Sequence, residues 1–209
     1  APPATRQHFA LAIRKHDIGD LSLEDFERTG SLADVRQSGA STTAETNARL
    51  QELLDRNEIR AFLADAVRSG KNILISGGTG SGKTTFLNAL LKEVPGHERV
   101  IVIEDTPEIH LVQPNSVGLV AVRGELGEAH VTMEDLLKAA LRMRPDRLLV
   151  GEIRGPEAFS FLRAINTGHP GSMTTVHADA PGGAFEQLAF MAIQAGARLS
   201  RLDVIDYAQ

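Results

Sequence analysis

Residues 77–85 read GGTGSGKTT, and the rest of the chain is best understood outward from this loop. An apolar run, NILIS, precedes it at 72–76, and FLNALLKE follows at 86–93 with the apolar spacing of a helix. Strand, glycine loop and helix in that order form the setting in which G-x-x-x-x-G-K-[ST] becomes a phosphate cradle. Gly77, Gly82, Lys83 and Thr84 meet the pattern. Gly77, Gly78, Gly80 and Gly82 allow backbone angles closed to other residues and a close approach of phosphate oxygens. Thr79, Ser81 and Thr85 complete the loop. Its successive N–H groups would point at an anion, and the helix behind adds its positive end. Lys83 would reach the β- and γ-phosphates, and the Thr84 hydroxyl would ligate Mg²⁺. A random chain of this length meets the pattern roughly 1% of the time from average residue usage. The flanking strand and helix therefore carry the reading of a site for ATP and Mg²⁺.

Around this loop the pattern is α/β. Apolar strands are expected at 99–104 (RVIVIE), 117–123 (VGLVAVR), 147–153 (RLLVGEI) and 172–177 (SMTTVH). Helices are expected through about Lys92, from a Thr132 cap to Pro145, and over 156–167 and 182–195. Strands without strict alternation, separated by helices, predict a mostly parallel sheet covered on both faces. Upstream, Leu50, Leu53, Leu54, Ile59, Phe62, Leu63, Ala66 and Val67 predict one amphipathic helix stopped by Gly70. Residues 8–15 suggest a strand, and Ser22 with Asp25 a capped short helix over 23–30. The small polar stretch 37–48 reads as a linker or loop.

A phosphate loop needs carboxylates opposite it, to hold Mg²⁺ and to orient the attacking water. Glu104-Asp105 follows VIVI, and Glu152 follows LLVG. Carboxyl ends of parallel strands are where open α/β sheets bind ligands, so both acids are expected to open onto the face that carries the loop. By itself each acid is an ordinary solvated strand end; the phosphate loop in the same chain is what favours function. His177 ends an expected strand and is a candidate γ-phosphate partner, while His169 is as well explained as a structural group. Arg142, Arg144, Arg147 and Arg154 surround the Glu152 strand, and Arg123 ends another. Some are candidates to contact phosphate within one subunit or across two. Surface charge, or pairing with Glu and Asp, is their plain alternative, least so for Arg154.

Composition narrows the classes. The chain of 209 residues has a net charge of −5, so it shows no basic stripe for gripping nucleic acid. With no cysteine, disulfides, thiolate metal sites and cysteine nucleophiles are excluded. No run approaches the ~18 apolar residues of a membrane span, and the first residues lack a signal peptide's organisation. A cytoplasmic protein is expected.

Taken together, these segments resemble the type II/type IV secretion ATPase superfamily, with the hexameric traffic ATPases of type IV secretion systems the nearest branch. GGTGSGKTT corresponds to its Walker A loop and VIVIEDTPEI (100–109) to its Asp box. LRMRPDRLLVGEIRGPEA (141–158) corresponds to a Walker B-like segment, and TGHPGSMTTVHADAP (167–181) to the His box. The resemblance implies a RecA-like P-loop NTPase fold. It implies an ATP-hydrolysing, Mg²⁺-dependent hexameric motor at the cytoplasmic face of the inner membrane, held there by other secretion-system components; the acidic charge balance adds that no direct nucleic-acid binding is expected. Carried over by motif, Lys83 and Thr84 serve phosphate and Mg²⁺. Glu104 and Glu152 activate water and hold the metal, His177 senses the γ-phosphate, and Arg142 and Arg154 are the Walker B arginines. Residues 1–15 are then expected as the last strand of an N-terminal domain, carrying Arg14 toward nucleotide. Residues 16–48 are expected as a linker, and 49–209 as the ATPase domain, ending short at its C-terminus.

Other readings differ in what they predict. A RecA-like nucleic-acid translocase would be stimulated by single strands. A nucleotide-binding interaction module would bind without releasing phosphate. A small-molecule kinase would need an acceptor or lid segment, which the sequence does not display.

Overall fold

The computed structural model describes residues 4–6, 28, 41–122, 130–196, 200, 202, 204 and 205. The strand expected at 8–15, nearly all of the helix expected at 23–30, and the side chains of Arg14 and Arg123 lie outside the described residues. The chain divides into two compact units, Ile13–Ile59 and Ala1–Ala12 with Arg60–Gln209.

The first unit carries helix α1, Ser41–Asp55. Residues 41–48, expected as linker, are therefore helical despite their small polar side chains. The single helix expected over 50–67 is also two, because α2 begins only at Ile59 and runs to Arg68. Asn57 explains the break, with φ 57° in the left-handed region that Asn tolerates better than most residues. The Asn57 N–H donates to the Leu54 carbonyl and the Glu58 N–H to that of Leu53, closing the helix end with a Schellman pair. Gly70 ends α2 with the same pair, the Gly70 N–H to Val67 and the Lys71 N–H to Ala66. Apolar spacing runs across Asn57 undisturbed, so periodicity alone could not reveal the break.

The second unit holds the sheet. Strands β1 (Ile73–Gly77), β2 (Val100–Glu104), β3 (Ser116–Val120), β4 (Arg147–Ile153) and β5 (Met173–His177) lie in the order β1-β5-β4-β2-β3. All four strand pairings are parallel. Helices α3 (Lys83–Leu91), α4 (Met133–Ala140), α5 (Glu157–Asn166) and α6 (Pro181–Gln194) connect or follow them. The helix expected up to Pro145 ends at Ala140 and tightens into a 3₁₀ turn, Leu141–Met143. Thr132 caps α4 as expected, its side chain accepting from the Asp135 N–H while Asp135 reaches back to the cap.

Side chains alternate along β2 to build two cores. Ile101 and Ile103 pack with Leu136, Leu148, Val150, Phe161 and Leu188 on one face. Val100 and Val102 pack with Val67, Leu87, Leu91, Leu149 and Met173 on the other. Burying each such side chain stabilises by roughly 1.5–3 kcal/mol, which explains why the buried runs need no polar alternation.

At the amino ends of the strands, Arg147 is buried and donates to the Glu98 carboxylate. It is thus paired with an acid, one of the two plain alternatives, and not a surface charge. Gly171 makes room for it: a Cβ there would stand 1.6 Å from Arg147 Nη1. The opposite, carboxyl end of the sheet carries the phosphate loop. Among the described residues no helix is long and apolar enough to cross a membrane.

Candidate active site

The phosphate loop turns directly out of β1 into α3. Gly82 stands before the helix at φ 88°, a conformation that L side chains rarely adopt. Gly77 is needed for space, since a Cβ on it would lie 2.4 Å from Ser81 Oγ. Lys83 opens the helix and turns its ammonium back over the loop, donating to the Gly77 and Gly78 carbonyls at 2.9 Å each.

The β1–β5 register sets Gly77 opposite His177. The exposed imidazole therefore stands at the mouth of the loop. Thr79, Gly80, Ser81, Gly82, Lys83, Thr84 and Thr85 line a cleft of about 630 Å³, closed by Glu108, Glu152, Arg154 and His177.

Glu152 reaches the cleft through an irregularity. The β4–β5 register shifts between Val150 and Ile153, and the Thr175 hydroxyl donates to the Gly151 carbonyl at 2.7 Å across the shift. Such bulges re-aim side chains beside active sites. Gly151 precedes Glu152 because a Cβ there would stand 3.1 Å from Glu104 Cγ. Arg154 joins the two acidic strand ends, one Nη donating to Glu152 and the other to Asp105 Oδ2 at 3.2 Å. Its own loop is tied down by Glu157, whose Oε1 accepts from the Arg154 N–H at 2.7 Å and the Gly155 N–H at 2.9 Å.

Glu104 differs from expectation. Its side chain is 2% exposed, and its oxygens are already engaged. Oε1 accepts from the Glu108 and Ile109 N–H groups at 2.8 and 2.7 Å, and Oε2 faces Arg6 Nη1 at 3.3 Å. Burial pushes its carboxyl above the ordinary value, against the pull of the two amides and Arg6. Its oxygens hold the loop, while the residue itself lines the recess beside Thr84 and Glu152. The carboxylate that this loop brings to the cleft is Glu108, four residues on, which the sequence reading passed over; the E-D-x-x-E spacing was the signal that could have found it. Arg6 and Glu157 gave no such signal.

Arg142, an expected site residue, and His169, left open between site and structure, are not gathered here. Arg142 lies in the 3₁₀ turn that enters β4, at the sheet end opposite the phosphate loop, and is exposed. His169 lies before β5 at that same end, with Nδ1 3.2 Å from the Ala164 carbonyl, closing α5.

The donor set fits the groups implied for it. Thr84, Glu104, Asp105, Glu108 and Glu152 line one recess, and their hydroxyl and carboxylate oxygens are the hard ligands that Mg²⁺ takes alongside phosphate and water. The glycine loop with its lysine fits a polyphosphate.

Comparison with known proteins gives the family. Residues 37–209 match the family model described as type II/IV secretion system protein. The chain belongs to the type II/IV secretion system protein family. Its relatives in that family include the type IV secretion system protein VirB11 of Bartonella henselae, 41% identical over 216 residues, covering 97% of this chain and 61% of the relative. VirB11 of Brucella suis is 39% identical over 197 residues, covering 92% of this chain and 54% of the relative. The crystal structure of the Brucella suis VirB11 ATPase, described as a complex with sulphate, superposes with a TM-score of 0.86 at 36% identity. That match covers 99% of this chain and 60% of the other. The fold is thus the P-loop fold of the secretion ATPases, and this chain spans about 61% of the length of the first of these relatives.

Proposed function

We propose that the chain hydrolyses ATP in the cleft between the phosphate loop and the carboxyl ends of β2, β4 and β5. One observation carries this reading: Lys83, Glu108, Glu152, Arg154 and His177 converge on a single cleft lined by the whole of Thr79–Thr85. The loop N–H groups and Lys83 would hold the β- and γ-phosphates and spread the charge that builds on the transferred group. Mg²⁺, held by Thr84 and Glu152, would neutralise further charge. Glu152 and Glu108 would orient the attacking water, with Glu104 supporting the loop that carries Glu108. His177 would bond the γ-phosphate and so register its loss.

With relatives named for type IV secretion, the work driven would be apparatus assembly or substrate transfer. The protein would act as a homohexamer on the cytoplasmic face of the inner membrane, docked through other secretion components, without gripping nucleic acid. Arg142, on the far end of the sheet, would serve such an assembly only from a neighbouring subunit.

A second reading, nucleotide binding without turnover, rests on Arg154 occupying Glu152. Phosphate release from Mg-ATP separates the two. Turnover lost in Lys83→Ala supports hydrolysis, and tight binding without release supports the second reading.

A further inference from the structure

Residues Ala4–Arg6 run antiparallel along the outer edge of β3. Thr5 bridges Leu119, the Val120 N–H donates to the Ala4 carbonyl at 2.9 Å, and the Arg6 N–H donates to the Gly118 carbonyl at 3.1 Å. The Arg6 side chain then crosses Gly118, where a Cβ would stand 2.3 Å from Arg6 Cδ. Its Nη1 reaches two acceptors, the Ile109 carbonyl at 2.7 Å and Glu104 Oε2 at 3.3 Å. Glu104 in turn holds the Glu108 and Ile109 amides.

The loop is gripped from its other side by the helix that carries Lys83. Asn88 of α3 donates to the Glu108 carbonyl at 3.2 Å and accepts from the His110 N–H at 2.7 Å. Glu108 therefore projects into the cleft from a peptide clamped between the phosphate-loop helix and the β3-edge segment. Asn88 fixes one side of that peptide. The other side depends on Glu104, whose buried charge is met by a single guanidinium among the contacts described. A buried carboxylate that loses its cation is expensive to keep in place.

We propose that Arg6 is a positioning residue for ATP hydrolysis: through Glu104 it sets the Asp105–Ile109 loop so that Glu108 is presented to the cleft. The attachment of the 4–6 segment along β3 is then a condition for turnover and not merely an extension of the sheet. This rests on the reading of the cleft as the site of hydrolysis.

The test compares the chain with Arg6→Gln and Arg6→Lys, by amide hydrogen exchange and by steady-state hydrolysis with Mg-ATP. In Arg6→Gln the Glu108 and Ile109 amides should exchange about tenfold faster, as expected on losing a charge-assisted hydrogen-bond partner, while Ile101–Ile103 in β2 remain protected. The kcat should fall about tenfold with ATP affinity unchanged, and Arg6→Lys should recover part of both. Unchanged exchange at Glu108 and Ile109, or a loss of ATP affinity matching the loss of kcat, would overturn the proposal. A parent chain that binds ATP but releases no phosphate would overturn the hydrolysis reading instead, and the exchange measurement would still decide whether Arg6 sets the loop.

Discussion

Gly77 and His177 sit directly opposite each other on adjacent parallel strands, β1 and β5. The last residue of one strand opens the phosphate loop, and the last residue of the other closes the cleft over it. A group fixed by strand register keeps its distance to the loop without help from flexible segments, which is what a γ-phosphate partner requires. His177→Ala should lower turnover roughly 100- to 1,000-fold, by analogy with removing one donor at a charge-stabilising site. Nucleotide affinity should change far less, since the loop and Lys83 are untouched. Parallel measurements of phosphate release and fluorescent-nucleotide binding check this, and equal losses in both would remove His177 from its assigned role.

Glu157 supports the site from below. It is buried, and its carboxylate holds the two amides that shape the turn carrying Arg154. Glu157→Ala would leave those donors without their partner, at a cost of roughly 1–3 kcal/mol. Urea denaturation should show that loss, together with reduced turnover as Arg154 drifts from Glu152. A variant of parental stability would mean that water replaces the carboxylate without penalty.

Gly171 is a stability position at the opposite end of the sheet. Its φ is +76°, and a Cβ would collide with the Arg147 guanidinium, itself held to Glu98. Gly171→Ala should destabilise by about 1–3 kcal/mol through strain and displacement of a buried cation. Thermal unfolding measures it. The nucleotide-binding loop, at the far end of the strands, should keep its affinity in the fraction that stays folded.

Glu104 gives a pH dependence of definite sign. Burial, its largest influence, holds its folded pKa above the ordinary carboxyl value of 4.5. A carboxyl raised on folding binds its proton more tightly in the folded state. Its contribution therefore favours folding at low pH and is lost as pH rises through the raised value. Glu104→Gln removes this term. Denaturation of both proteins from about pH 4.5 to 7 should show the variant gaining stability relative to the parent as pH rises. A difference that is flat or opposite in sign would contradict the burial-dominated account.

Much of this was legible in the sequence because it depends on local pattern. The runs NILIS, VIVIE and RLLVGEI are apolar enough to become buried parallel strands, and GGTGSGKTT has little else it can do between a strand and a helix. Thr132 with Asp135 fixes the start of α4 within four residues. What stayed hidden depends on distance or on backbone angle. Nothing near Arg6 predicts that it meets Glu104, because the contact joins positions 98 apart. Glu104 looked like an exposed strand end because its burial comes from the loop that folds back over it. Asn57 broke a helix whose apolar spacing continued through the break. Arg142 and Arg154 flank the same strand in sequence, but β4 runs between them and carries them to opposite ends of the sheet.

The most direct test is phosphate release from Mg-ATP by the chain and by Glu152→Gln, with ATP binding measured on both. The account predicts turnover by the parent, at least about 100-fold less by the variant, consistent with loss of a group acting in the transition state, and ATP binding by both. Turnover by Glu152→Gln at the parental rate would contradict it, since the cleft would then be hydrolysing ATP without the carboxylate placed to hold its metal and orient its water.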